Sequence, residues 1–321
     1  MLGSTLIGAA DLGVGNVLAE IGAQLTGGHS PLTAQQAAIL WELRVPRIVL
    51  AVLVGAALAG SGAAYQGVFG NPLADPYLLG AAAGAGLTTT IMVVFFPSLA
   101  TNSGAIGALP AAAFVGAIGG VGLTWALGRS AGRGTATLVL AGVAVTAFLT
   151  AAQTFVQQLN TQTLQRVYAW VLGGLATTGW HDVLLALPYT VLGAVVLTGY
   201  GRLLDVLTLG DDEATALGVR PGRVRLVVLA AASLATAGAV AVSGLIGFVG
   251  IVVPHIVRRC FGGSYRCVVP VSLIGGAIFL VLADVVARTV LAPAELPIGV
   301  VTAFAGAPFF LFVLRATRTQ R

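Results

Sequence analysis

The 321-residue chain contains no lysine; all 16 of its basic residues are arginine. That absence excludes two chemistries. A phosphate-binding P-loop needs its lysine to reach the β- and γ-phosphates, and Schiff-base catalysis needs a free amine. ATP driving this protein would have to be hydrolysed by another polypeptide. Cysteine is almost missing as well. Cys260 and Cys267 form a C-x6-C spacing near His255, which matches no zinc-finger pattern, and free thiols are ordinary in a reducing cytoplasm. No metal site and no cofactor bound by this chain are expected. His29 and His181 are isolated and read as polar loop residues.

Charge is the third scarcity. Only 8% of residues are charged, against roughly 25% in a soluble domain. Residues 48–70, 77–128 and 226–257 hold no Asp, Glu, Lys or Arg. Ion-coupled carriers keep an ionisable group near the membrane midplane, where it is costly and functional. Here Asp284 and Arg288 alone look embedded, one helical turn apart near a span end. They read as a self-satisfied i,i+4 pair or as an arginine facing a partner in outer water. An intramembrane enzyme would need paired ionisable groups or a metal cluster at depth, and no nucleophile–base constellation is visible. No catalytic residue is assigned, and an ion-coupled secondary transporter stands as the alternative from a different class.

What the chain does have is apolar length. It is 57% hydrophobic with a mean hydropathy of +0.97, and crossing about 30 Å of hydrocarbon takes roughly 20 apolar residues. Spans are expected at 45–66, 77–97, 106–127, 136–157, 183–200, 224–243, 244–258, 268–287 and 298–315. The 244–258 element is short and broken by Gly247, Gly250 and Pro254. Residues 1–27 carry Asp11, Glu20 and six glycines, neither a signal peptide nor a full span. They suit a shortened first helix or an interfacial segment. The fold class is all-α: a polytopic helical membrane protein of nine to ten spans, with 1–321 as one transmembrane domain.

Arginine placement orients it. With the 202–225 loop in the cytoplasm, twelve arginines fall inside: 129, 133, 202, 220, 223, 225, 258, 259, 266, 315, 318 and 321. Arg44, Arg47, Arg166 and Arg288 fall outside, which satisfies the positive-inside rule. The pI near 9.8 therefore reflects topology, and no nucleic-acid partner is expected. Trp170, Trp180, Tyr168 and Tyr189 are expected near the outer interface, where an aromatic belt contacts membrane lipid; stacking on an aromatic cargo is the other reading. Gly80-x-x-x-Gly84 and Gly116-x-x-x-Gly120 place small residues on one helical face for close packing in lipid.

The segment Arg202–Arg225 gathers eight of the 27 charged residues. Asp211, Asp212 and Glu213 suit a helix N-terminus, where carboxylates accept orphan N–H bonds and meet the dipole. Gly218 suits the C-terminal cap and Pro221 bars continuation. The expected product is a helix of about one and a half turns held out in water between two spans. At the other surface, Glu42-Leu-Arg44-Val-Pro-Arg47 puts two arginines three residues apart, either as snorkelling anchors or as a docking patch. Gly70-Asn-Pro-Leu-Ala-Asp-Pro76 reads as a tight inner turn.

Five ordered segments carry a resemblance: LRVPRIVLAVLVGAALAGSGAAYQGVFGNPLADPYLLG (43–80), LGDDEATALGV (209–219), GLIGFVGIVVPHIVRR (244–259), ADVVART (283–289) and ELPIGVVTAFAGAPFFLFVL (295–314). Together they resemble the FecCD-type permeases, the membrane subunits of ABC importers for ferric siderophores, haem and cobalamin, over about residues 38–315. Members normally begin with a full first helix, which is short or clipped here. The resemblance implies a permease pairing with an identical or paralogous second subunit in a bacterial inner membrane. A pathway would run between the two, lined by 136–157, with Thr135 and Thr137 near an inner gate. It also implies a separate ATPase dimer, carrying ATP and magnesium, that receives Leu209, Gly210, Asp211, Asp212, Glu213, Ala214, Leu217 and Gly218. An extracytoplasmic substrate-binding protein would dock through its carboxylates on Arg44, Arg47 and Arg288. Ferric siderophore ranks first as cargo, haem second and cobalamin third, an order set by how common such systems are in the family rather than by any residue.

Overall fold

The computed structural model describes residues 13–26, 30–101, 107–132, 134–175 and 179–318. His29, Arg133, Arg321 and the first twelve residues, Asp11 included, lie outside them. Every regular element among the described residues is helical. Apart from the short Pro97–Thr101 helix and the 3-10 turns at Pro76–Leu79 and Thr161–Thr163, these are in chain order α1 (Val14–Thr26), α2 (Ala34–Phe69), α3 (Ala81–Phe95), α4 (Ala108–Ala131), α5 (Thr135–Leu159), α6 (Leu164–Val171), α7 (Trp180–Gly199), α8 (Gly201–Leu207), α9 (Asp211–Ala216), α10 (Pro221–Ser243), α11 (Val249–Phe261), α12 (Tyr265–Thr289) and α13 (Ile298–Arg318). Six of them, α2, α4, α5, α7, α10 and α12, are long and apolar enough to cross a membrane; α3 and the Ile298–Phe309 part of α13 are shorter apolar helices.

Helix α2 is the axis of the molecule. It packs against α12, α10, α7 and α11, while α3, α4 and α5 form a second group joined to the first through α10. Within that second group the glycine pattern acts as expected. A Cβ on Gly84 would strike the Gly116 carbonyl, and one on Gly120 the Gly80 carbonyl. The backbones of α3 and α4 therefore touch, as small-residue motifs permit in lipid.

The start of α2 departs from the expected boundary at residue 45. Thr33 Oγ1 accepts the Gln36 N–H and Gln36 Oε1 accepts the Thr33 N–H, a capping box that starts the helix eleven residues early. Ile39–Arg44 is π-helical, and Val45 N–H bonds to Leu40 O. The Trp41 carbonyl then has no intrahelical donor, because the next candidate is Pro46, which lacks an N–H. The Trp180 indole supplies one at 2.9 Å, pinning the outer end of α2 to the start of α7. Trp41 Nε1 in turn donates to Glu20 at 3.0 Å, which ties α1 to α2.

Two expected spans are shorter than their apolar runs. Residues 77–97 give only α3, preceded by a 3-10 turn at Pro76–Leu79. Residues 244–258 give an extended stretch and then α11 from Val249, with Phe248 at φ 68°. The reason is shared: each helix divides its path with unwound backbone, and the two unwound stretches meet. Tyr77 Oη donates to Ile246 O and accepts from Ile246 N–H, both at 3.1 Å. Non-helical backbone is tolerated at such depth only when protein satisfies it, and Tyr77 does so. Tyr189, expected in an outer belt, instead lies halfway along α7, its ring 4.8 Å from that of Phe114 and against Gly238.

Candidate functional site

The Arg202–Arg225 segment closes on itself. In α9 the Gly218 N–H bonds to Thr215 O and the Val219 N–H to Ala214 O, the paired bonds of a Schellman cap. Gly218 takes the required φ of +80°. Pro221 then opens α10. Ala214 is buried beneath the turn, while Leu209, Asp211, Asp212, Glu213 and Leu217 are exposed. Asp211, Asp212 and Glu213 form the first turn of α9, as expected, at the positive end of its dipole; Gly210 stands as the cap residue and no side chain accepts an N–H there. Asp211 instead forms a fork with Arg225, at 2.8 and 2.6 Å. The Arg225 guanidinium holds the Asp211 carboxyl below the usual carboxylate range. Asp205 also serves inward: it accepts from Ser264 Oγ and Tyr265 N–H, placing a carboxylate on the positive end of α12. Asp212, Glu213, Arg202, Arg220 and Arg223 remain exposed to solvent.

Behind this segment lies a cavity of about 470 Å³ between the end of α2, the 207–211 turn, Thr135 and Arg258. Thr135 also lines a second cavity, so the start of α5 borders two spaces beside this segment. Thr137, two residues further along α5, lies against Gly132. Arg258 donates to the buried Gln66 side chain and stands 5.5 Å over the Tyr265 ring. Gln66 also donates to Gly250 O at 3.0 Å. Nothing in the sequence pattern linked Gln66 to Arg258, which are 192 residues apart. His255 meets the edge of Phe309, and Cys260 is exposed.

At the other end two of the three expected arginines, Arg47 and Arg288, come together around one carboxylate. Asp284, 1% exposed, accepts from Arg47 Nε at 2.9 Å and faces Arg288 Nε at 3.0 Å. The i,i+4 pair is thus present, but Arg47 from α2 completes it. Arg47 also forks onto Glu295 at 2.9 and 2.8 Å. Arg44 and Arg288 are each 8% exposed and Glu295 is 45% exposed, so in this conformation the carboxylate of Glu295 presents the cluster to water. Sequence reading missed Glu295; the available signal was its position in an outer loop, directly before Leu296-Pro297, in a chain with eleven acidic residues.

These two surfaces, at opposite ends of a helical membrane core, invite comparison with known transport proteins. The model of the FecCD transport family matches residues 1–316. The chain belongs to the FecCD transport family. Among its relatives, the cobalamin import system permease of Halobacterium salinarum is 43% identical over 89% of this chain and 75% of its own length. The hemin transport system permease of Yersinia pestis is 39% identical over 88% and 85%. A solved structure described as an inward-facing metal-chelate type ABC transporter superposes with a TM-score of 0.80 at 28% identity, covering 94% of this chain and 98% of that one. As a FecCD member the protein is a multi-pass membrane permease of the metal-chelate ABC importer type. Its relatives divide among haem, cobalamin, ferric citrate and iron hydroxamate systems, so membership fixes the machinery and not the cargo.

Proposed function

We propose that this FecCD permease moves a ferric siderophore from an extracytoplasmic binding protein through the inner membrane of a bacterium, working with a second permease copy and a separate ATPase dimer. The observation that carries the reading is α9. It is a capped helix with acidic residues and two leucines turned to water, in a chain that otherwise spares charge. A docking helix must keep its shape before its partner arrives, and the Schellman cap and the Asp211–Arg225 fork give it that. Closure of the ATPase around nucleotide would pull on Leu209–Gly218, and the Asp205 contact to α12 offers a route from that pull into the spans. Helix α5 is the least buried of the six long helices, with Leu140, Val143, Phe148 and Phe155 exposed. That suits a helix facing a second subunit and an apolar pathway, with Thr135 and Thr137 at its inner mouth. Helices α3, α11 and α13 would complete their crossings together with adjoining unwound backbone, giving nine to ten passes. Arg44, Arg47 and Arg288 would meet carboxylates of the binding protein, where rim charges steer docking and set register.

The test is reconstitution in liposomes with the ATPase encoded beside this chain and the neighbouring binding protein. ATP hydrolysis should rise when that protein is loaded with a ferric siderophore. A stable complex that does not respond would reject the cargo and keep the importer, and failure to bind any ATPase would reject the coupling role of α9.

A further inference from the structure

An apolar groove of about 590 Å³ runs between α4, α7 and α10, walled by Ile118, Trp125, Val196, Val227 and Leu234. Its lining comes from the second halves of α4 and α7 and the first half of α10, which on the arginine-set topology is the cytoplasmic leaflet. At Trp125, Leu226 and Leu229 the groove meets a second, more polar space of about 570 Å³ that holds Arg129, Arg225 and Gly222. Arg129 is exposed and makes no ion pair or side-chain hydrogen bond among the described residues. Arg225 gives both terminal nitrogens to Asp211, and its Nε is buried without a hydrogen-bond partner among the described residues. With Asp211 counted, the polar space keeps a net positive charge.

We propose that this continuous surface binds one anionic phospholipid of the inner leaflet, an acyl chain in the groove and the phosphate at Arg129, beside the Asp211–Arg225 fork. The shape follows the ligand: apolar at depth, cationic at the leaflet surface, with an indole at the boundary. A carboxylate from a cytoplasmic partner would match the charges, but it would leave the groove below empty, and the lipid fills both. The site lies against the Asp211–Arg225 fork, so lipid and docking helix are neighbours. This inference needs the topology but not the transport reading.

The full chain, purified in detergent and stripped of lipid, would be titrated with phosphatidylglycerol and separately with phosphatidylethanolamine, with occupancy read by native mass spectrometry. Phosphatidylglycerol should bind more tightly. Arg129→Gln should weaken it about fivefold, the equivalent of ~1 kcal/mol per basic residue near an anionic leaflet, and leave phosphatidylethanolamine unchanged. Ala230→Trp, at an exposed groove position, should abolish binding of both. Equal affinity for the two lipids, undiminished phosphatidylglycerol binding in Arg129→Gln, or unchanged occupancy in Ala230→Trp with an unchanged melting temperature would each overturn the proposal.

Discussion

The two ends of the molecule spend their few charges in opposite ways. At the cytoplasmic end the contacts that shape α9 are local. The Asp211–Arg225 fork spans 14 residues and the cap bonds span three to five. Most of the charge there stays in water. At the outer end Arg47 reaches partners 237 and 248 residues away, and Asp284 is sealed between two guanidinium groups. The first arrangement makes a shape that others can grip. The second joins α2, α12 and the 290–297 loop into one body, and only Glu295 stands at the edge.

The comparison breaks first at Asp284. Asp284→Ala would leave Arg47 and Arg288 facing each other in a nearly sealed site, and removing one member of a buried ion pair costs about 3–5 kcal/mol. The expected result is a large drop in thermal midpoint or loss of folded yield in detergent; a near-normal midpoint would show that water reaches the cluster. A change at the cytoplasmic end should do the reverse. Alanine at Asp211, Asp212 and Glu213 together should cost no more than about 1 kcal/mol, as exposed pairs do, while greatly reducing transport-coupled ATP hydrolysis in liposomes. Full coupling in that triple variant would remove α9 from the docking role.

Smaller effects sharpen the contrast. Gly218→Ala places a Cβ at φ +80° and should destabilise the segment by about 1 kcal/mol, visible as faster hydrogen exchange at Gly218 and Val219 with the global midpoint unmoved. Glu295→Gln removes the half-exposed arm of the outer cluster and should cost under about 1 kcal/mol, far less than Asp284→Ala; equal losses would mean that the two carboxylates act as one buried unit. The smallest signal concerns pH. Because Arg225 lowers the Asp211 pKa, the stabilisation from this pair is complete above the ordinary carboxylate value near 3.9 and is lost as pH falls through the depressed value. The difference in midpoint between the wild type and Asp211→Asn should therefore stay flat from pH 8 to about pH 5 and shrink only below about pH 4.

Legibility in the sequence tracked the range of the contacts. The α9 helix, its Gly218 cap and its Pro221 stop were readable because each depends on neighbours within one turn. The long spans were readable because apolar length suffices. The T-x-x-Q capping box at Thr33–Gln36 was equally local and was overlooked beneath the hydropathy signal, so α2 came out longer than expected. The acidic first turn of α9 was readable for the same local reason, but its pairing was not: Asp211 binds Arg225 rather than an orphan N–H. The joining of Arg47 to Asp284 and Glu295, of Gln66 to Arg258 and of Tyr77 to Ile246 depends on how helices far apart in the chain are laid side by side, and no pattern within a single segment encodes it.

The Tyr77–Ile246 joint bears on how the protein is made. Helix α3 has 15 residues and α11 has 13, each too short to cross a bilayer alone. When residues 244–248 leave the ribosome, the Tyr77 hydroxyl that pairs with both polar groups of Ile246 was made 169 residues earlier. The turn around Tyr77 meanwhile pairs its own backbone through Asn71, Asp75 and the Tyr77 carbonyl. The late unwound stretch therefore docks on an early one that is already satisfied, an order compatible with insertion from the amino-terminal end. Tyr77→Phe would leave the Ile246 N–H and carbonyl without that partner, a defect that arises only once the second half of the chain is made.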